Sequence, residues 1–416
     1  MLQEEAYRKW RVEPPVNVAG LTGYGIGQFD AMFAQIRQMA DYGALDYSED
    51  AQERARRVAE AQARGQHLHA FDDLGAPTRF ESPIIYRTIS GASTQIFNVA
   101  RQLNCPLPAQ PLVGTMPTGD IHAYTVPVPE DMRAGESDAD HLIIFDWQFF
   151  LFAHLFSKAI ASALTAAPSP EYGTEFWSLS WDESDIRRKI ERDPSIAEGF
   201  TDLLVSYATT GRPGSSQVYT SPEAFRRSQL GPGNRAMAAI IRASMELFVM
   251  GHEYGHIAQR NSAAAGMARL RWVGYDGPDA GSPAVRSHLA ELDADGYGLR
   301  LASLAARPRY RNLALEYIGA DAYFSGLDMM RRALCVLTLG RVVDMTGETH
   351  PSAKDRRDVL RRSLSVFPVS GEERAGAVDV AQKVELIAEL LWERAHDTLM
   401  DLHRRGTSPA PWWLQE

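Results

Sequence analysis

Apolar residues recur at three- and four-residue intervals over most of this chain, which predicts amphipathic helices at Gln28–Asp41, Ser48–Arg64 and Ser93–Asn104. From Pro106 the pattern changes. Pro111–Met116, Ile121–Val128 and His141–Asp146 are short β-branched or aromatic runs bounded by Pro, Gly and Asp, the mark of strands in a small, mostly antiparallel sheet. A helix is expected from Trp147 to about Thr165, followed over Ala166–Gly233 by short helices, with Ser195-Ile196-Ala197-Glu198 as a capping box and Ser221-Pro222 as a helix start. Asn234 then reads as the N-cap of a run to Asn261 whose Met237–Phe248 stretch is apolar nearly all round, as a helix enclosed by its domain requires. Further helices are expected over Val285–Ala306, Tyr310–Val343, Ser352–Val366 and Ala377–Arg404, ahead of a short tail with Trp412 and Trp413. The fold class predicted is α+β, predominantly helical. Residues 1–105 form a mainly helical region without obvious chemistry, and 106–416 form the main domain, with 166–233 as an insertion lying over the sheet.

Composition narrows the function classes. With 416 residues, 45% hydrophobic and 23% charged, the chain holds enough apolar material for one large or two modest cores. A net charge of −10 and no basic stripe argue against nucleic acid as a partner. Phe149–Ala167 is the most apolar segment, but His154 and Lys158 interrupt it and Asp146 precedes it, so a buried helix is expected rather than a membrane span. Cys105 and Cys335 lie far apart in apolar contexts, and Met1–Trp10 has no apolar run; both suit a reduced, cytoplasmic protein with both thiols in the core.

Candidate chemistry sits near the end of the enclosed helix, in Gly251-His252-Glu253-Tyr254-Gly255-His256. Residues four apart share a helical face, so His252 and His256 aim two imidazoles at one point, where a metal ion can sit. Glu253 is offset by roughly 100° and stands beside that point, in the position of a general base. A catalytic zinc keeps three protein ligands and one open position. The third ligand is expected from His288-Leu289-Ala290-Glu291-Leu292-Asp293-Ala294-Asp295, with Glu291 preferred and Asp293, Asp295 and His288 as rivals. Asp295, one turn after Glu291, can accept the N–H of a ligating imidazole. Gly23-Tyr24-Gly25-Ile26-Gly27 reads as a turn rather than a phosphate loop, since no strand precedes it and the spacing departs from the dinucleotide fingerprint. His67 and His69 read as a solvent-facing pair at least as well as a metal site.

HExxH followed by Glu291-Leu292-Asp293-Ala294-Asp295 resembles the gluzincin metallopeptidases, in which a glutamate ligand lies within an E-x-x-A-D sequence. The similarity is nearest to the soluble domains of the CAAX prenyl proteases and the HtpX-like proteases, and looser to the Lit-like and ImmA/IrrE-like peptidases. It covers roughly residues 110–360, and includes the strands Ile121–Val128 and His141–Asp146 and the Thr349-His350-Pro351 segment with Arg356. The resemblance implies a zincin-like fold, a Zn2+ ion on His252, His256 and Glu291, and hydrolysis of a protein or peptide substrate with Glu253 as base. His350 and Tyr297 are the candidates for an oxyanion donor, and the edge strand Ile121–Val128, with Pro127 and Pro129, for pairing with substrate. Two rival functions remain at this point: a regulatory or binding protein on a peptidase fold, and a zinc hydrolase of a non-peptide amide.

Overall fold

The structure, a computed structural model, describes residues 83–105, 107, 109–116, 121–127, 141–169, 173–211, 213, 230–264, 283–343 and 350–410. The expected helices at 28–41 and 48–64, the glycine run at 23–27, His67 and His69, Ser221-Pro222, Thr349, Pro129 and the two terminal tryptophans lie outside these residues.

Helix α1 spans Pro83–Gln102, ten residues longer at its start than periodicity predicts, because Pro83 is well suited to a first helical turn. Its stripe of Ile89, Ala92, Ile96 and Ala100 is buried in the same core as the rest of the molecule. The boundary expected at residue 105 therefore falls after a helix that packs into the main core.

Three strands follow: β1 (Leu112–Met116), β2 (Ala123–Pro127) and β3 (His141–Asp146). They form a sheet of order β1-β3-β2, with β1 parallel to β3 and β2 antiparallel to it. The sheet is thus mixed rather than mostly antiparallel. The apolar run Leu142–Phe145 is buried throughout, as a central strand covered on both faces must be, whereas strand order leaves no local trace in the sequence. β3 runs directly into α2 (Trp147–Ser162), whose N-cap, Asp146, accepts from the Gln148 backbone N–H. Phe149, Phe152 and Phe156 of α2 are fully buried, each contributing roughly 1.5–3 kcal/mol by leaving water. Among the described residues no helix is long and apolar enough to cross a membrane.

The segment expected to hold only short helices opens with a hairpin, β4 (Thr165–Ser169) paired antiparallel with β5 (Gly173–Ser180). α3 (Glu183–Arg192) and α4 (Pro194–Thr210) come next. Ser195 is not a cap: Pro194 occupies the first helical turn, Asp193 is the N-cap, and the Ser195 hydroxyl donates to the Asp193 carboxylate. Among the described residues of this segment, the hairpin packs on α5 (Pro232–Ala264) and α4 on α2.

Asn234 lies inside the first turn of α5, and its side chain serves a different helix. Its Nδ2 donates to the carbonyls of Ala161 (2.7 Å) and Leu164 (2.8 Å), satisfying the open C-terminal end of α2. α5 is then surrounded by α1, α2, α6 (Pro283–Tyr310) and α7 (Leu313–Leu339), with β2 along one side, which explains its apolar circumference. α7 starts at an Asn312 cap and ends at Gly340, whose φ of 65° is left-handed. α8 (Ala353–Ser363) rests on α6 and α7, and α9 (Gly371–Arg404) on α7 and α4. Cys335 is buried; Cys105 is half-buried against the core, and both are free thiols.

Candidate metal centre

The crossing of α5 and α6 builds the centre. A Cβ on Gly251 would lie 2.8 Å from the Gly298 carbonyl, and one on Gly255 would lie 2.8 Å from Ala294 Cα, so only small residues allow the helices to come this close. Gln259 fastens the crossing, its Nε2 donating to the Ala290 carbonyl at 2.6 Å, immediately before Glu291. These contacts carry the Glu291 carboxylate to the two histidines one helix away.

His252 and His256 meet edge to face, with ring planes 86° apart and Nε2 atoms separated by 3.1 Å. Glu291 Oε2 lies 3.5 Å from His252 Nε2, and Oε1 lies 3.4 Å from His256 Nε2. One ligating atom from each of the three residues falls within 4.8 Å of the others. Glu291 Oε2 is buried and makes no hydrogen bond of good geometry; Arg356 Nη2 stands 3.3 Å from it and His252 Nε2 3.5 Å, so it retains acceptor capacity that a metal ion could use. Two imidazoles and a carboxylate form a donor set that fits Zn2+ with a coordination position to spare. Burial alone would lower the pKa of His256, but the Glu291 carboxylate beside it wins and raises it. Glu291 itself is held well below the usual carboxylate range, since His256, His350 and Arg356 outweigh its burial. The site is thus arranged to hold positive charge.

Asp295 stands behind His252. Its Oδ1 is 2.9 Å from His252 Nδ1, and its two oxygens accept from Arg356 Nε and Nη2, both at 2.7 Å. Burial opposes ionisation of Asp295, but Arg356 overrides it and keeps the carboxylate charged. Arg356 is itself 1% exposed, stacks 4.8 Å over the Phe324 ring, and reaches Glu291 Oε2 at 3.3 Å. With Nδ1 turned to Asp295, His252 presents Nε2 to the centre.

No family model, curated protein or solved structure matches the chain.

Glu253 faces β2. Its Oε2 accepts a 2.8 Å hydrogen bond from Thr125 Oγ1, and burial raises its pKa despite the neighbouring His252 and His256. His350 enters from the turn before α8, with Nε2 3.5 Å from Glu291 Oε1. Burial pulls it down to about 4 against Glu291, helped by Arg356, His122 and Arg331, so it is neutral near pH 7. Tyr297 is not turned the same way. Six residues after Glu291, it is rotated about 120° around α6, and its Cβ abuts Gly255. Asp293, two residues from Glu291, is rotated about 160° from it.

Sequence reasoning missed Thr125, His122, Gln259 and Arg260. His122 Nδ1 lies 3.0 Å from the Tyr323 hydroxyl, which donates to the Ile121 carbonyl, and the His122 ring is 6.0 Å from that of His350. Each acts through a contact between distant segments, and no spacing in the sequence announces it.

Proposed function

We propose that this chain is a zinc-dependent peptidase that hydrolyses peptide bonds of a protein or peptide substrate in a zincin-like site. The observation that carries the reading is the convergence of the His252 and His256 Nε2 atoms on a Glu291 carboxylate 3.4–3.5 Å away, with a buried Glu253 alongside. His252, His256 and Glu291 would hold the ion, which when bound supplies Lewis acidity to water and to a carbonyl oxygen.

The chain's own groups account for the rest. Glu253 accepts a proton from the attacking water, whose oxygen bonds to the carbonyl carbon. The same carboxyl then delivers that proton to the departing amine as the C–N bond breaks. Its raised proton affinity suits both halves of this task, and Thr125 fixes the carboxylate's orientation. His350, neutral and beside Glu291, would donate to a developing oxyanion. β2 is bonded on one side only among the described residues, which suits pairing with an extended peptide, and Pro127 sits at its end.

Glu253→Gln keeps the shape but cannot take the proton. Zinc-loaded protein incubated with a denatured protein mixture should create new N-termini by mass spectrometry, and Glu253→Gln should slow their appearance by roughly 10²–10⁴-fold with zinc content unchanged. Equal rates would remove Glu253 from the mechanism, and no new N-termini with either protein would remove the peptidase reading.

A further inference from the structure

Arg260 lies seven residues, two helical turns, after Glu253 and therefore on nearly the same line along α5. Thr125 joins the two. Its hydroxyl donates to Glu253, and its backbone carbonyl receives Arg260 Nη2 at 3.5 Å, a long and weak contact. Arg260 is half-buried, and among the described residues no carboxylate stands at ion-pair distance from it. The Glu253 carboxylate acts on it electrostatically, opposing the effect of burial. Arg356 and Arg361, by contrast, each hold a carboxylate through two hydrogen bonds. A guanidinium partly withdrawn from water and held by one long bond to a neutral carbonyl keeps donors to spare, and these suit an incoming anion.

Position makes that anion part of the substrate. A peptide laid along β2 would pass both Glu253 and Arg260. Both side chains meet β2 at the same residue, Thr125, so the anion would lie close to the reacting bond. We infer that Arg260 determines specificity by pairing with a substrate carboxylate close to the scissile bond. The inference rests on the peptidase reading. Arg260 bonds to the Thr125 carbonyl rather than to His252, His256 or Glu291, although its charge acts on His256 one turn away, and its proposed role is to select and seat the peptide.

The test is cleavage-site profiling of the zinc-loaded full chain on a peptide library, run with free and with amidated C-termini. Parental protein should favour Asp or Glu at one position near the cut, or a nearby C-terminal carboxylate that amidation abolishes; the two library forms tell these sources apart. Arg260→Gln should reduce the preference roughly tenfold, the scale of one charge-assisted hydrogen bond, while Arg260→Lys keeps part of it. Arg260→Glu should turn it toward Lys and Arg. Zinc content and circular dichroism verify that each variant is folded, and Arg260→Lys carries the comparison if the others are not. Cleavage without acidic preference, or a preference that survives Arg260→Gln, overturns the inference and leaves the peptidase reading standing. Absence of cleavage by the parental protein overturns both.

Discussion

Glu253 and Asp295 are both buried carboxylates beside His252, and their surroundings push them in opposite directions. Burial raises Glu253, whose stabilising contacts are one threonine hydroxyl and two imidazoles; Arg356 holds Asp295 ionised despite equal burial. One carboxyl is thereby suited to carrying a proton and the other to fixed charge. Asp295→Ala would leave Arg356 buried and without its two 2.7 Å hydrogen bonds. The expected result in metal-free protein is a loss of about 3–5 kcal/mol by denaturant unfolding, the cost of breaking a buried pair from one side. A loss under about 1 kcal/mol would show that Arg356 finds other partners. At this scale the sequence was informative where periodicity acts within one helix, as in His252 with His256 and Glu291 with Asp295. It was silent on Thr125 and Gln259, whose partners lie 128 and 31 residues away.

Helix α5 carries a second buried acid, Glu246, six residues before His252. Burial pushes it up from the usual 4.5 to about 7, opposed by Arg242, whose Nε is 3.5 Å from Oε1. The sign follows from linkage. A carboxyl whose folded pKa is raised contributes stability fully present below about 4.5 and lost as pH rises through about 7. Glu246→Gln removes the charge, so it should stabilise the protein by up to about 3 kcal/mol at pH 8 and change little at pH 4. Thermal unfolding at both values tests this; a variant less stable than the parent at pH 8 would mean that the ionised pair with Arg242 outweighs burial. Element existence was largely readable from apolar periodicity, since α5 and α7 are enclosed and show it all round. Their ends were not: Asn234 and Ser195 have the composition of caps, but tertiary contacts and Pro194 determine what their side chains bond.

For the molecule as a whole, the packing of α1 into the common core and of the 165–210 segment onto helices depends on which surfaces meet, and neither could be read from local pattern. The parallel pairing of β1 with β3 is of the same kind. What sequence did indicate was the pairing of HExxH with a downstream acidic helix face, and the glycines at 251, 255 and 298 make that pairing close enough for a shared ion. The most direct test is zinc binding by untagged, metal-stripped full-length chain, titrated against a competing chelator and measured by elemental analysis. The account predicts one zinc ion per chain, with affinity reduced at least about 100-fold by His256→Ala and by Glu291→Ala, each of which removes a ligand. Failure to take up zinc, or uptake that neither substitution weakens, would contradict it.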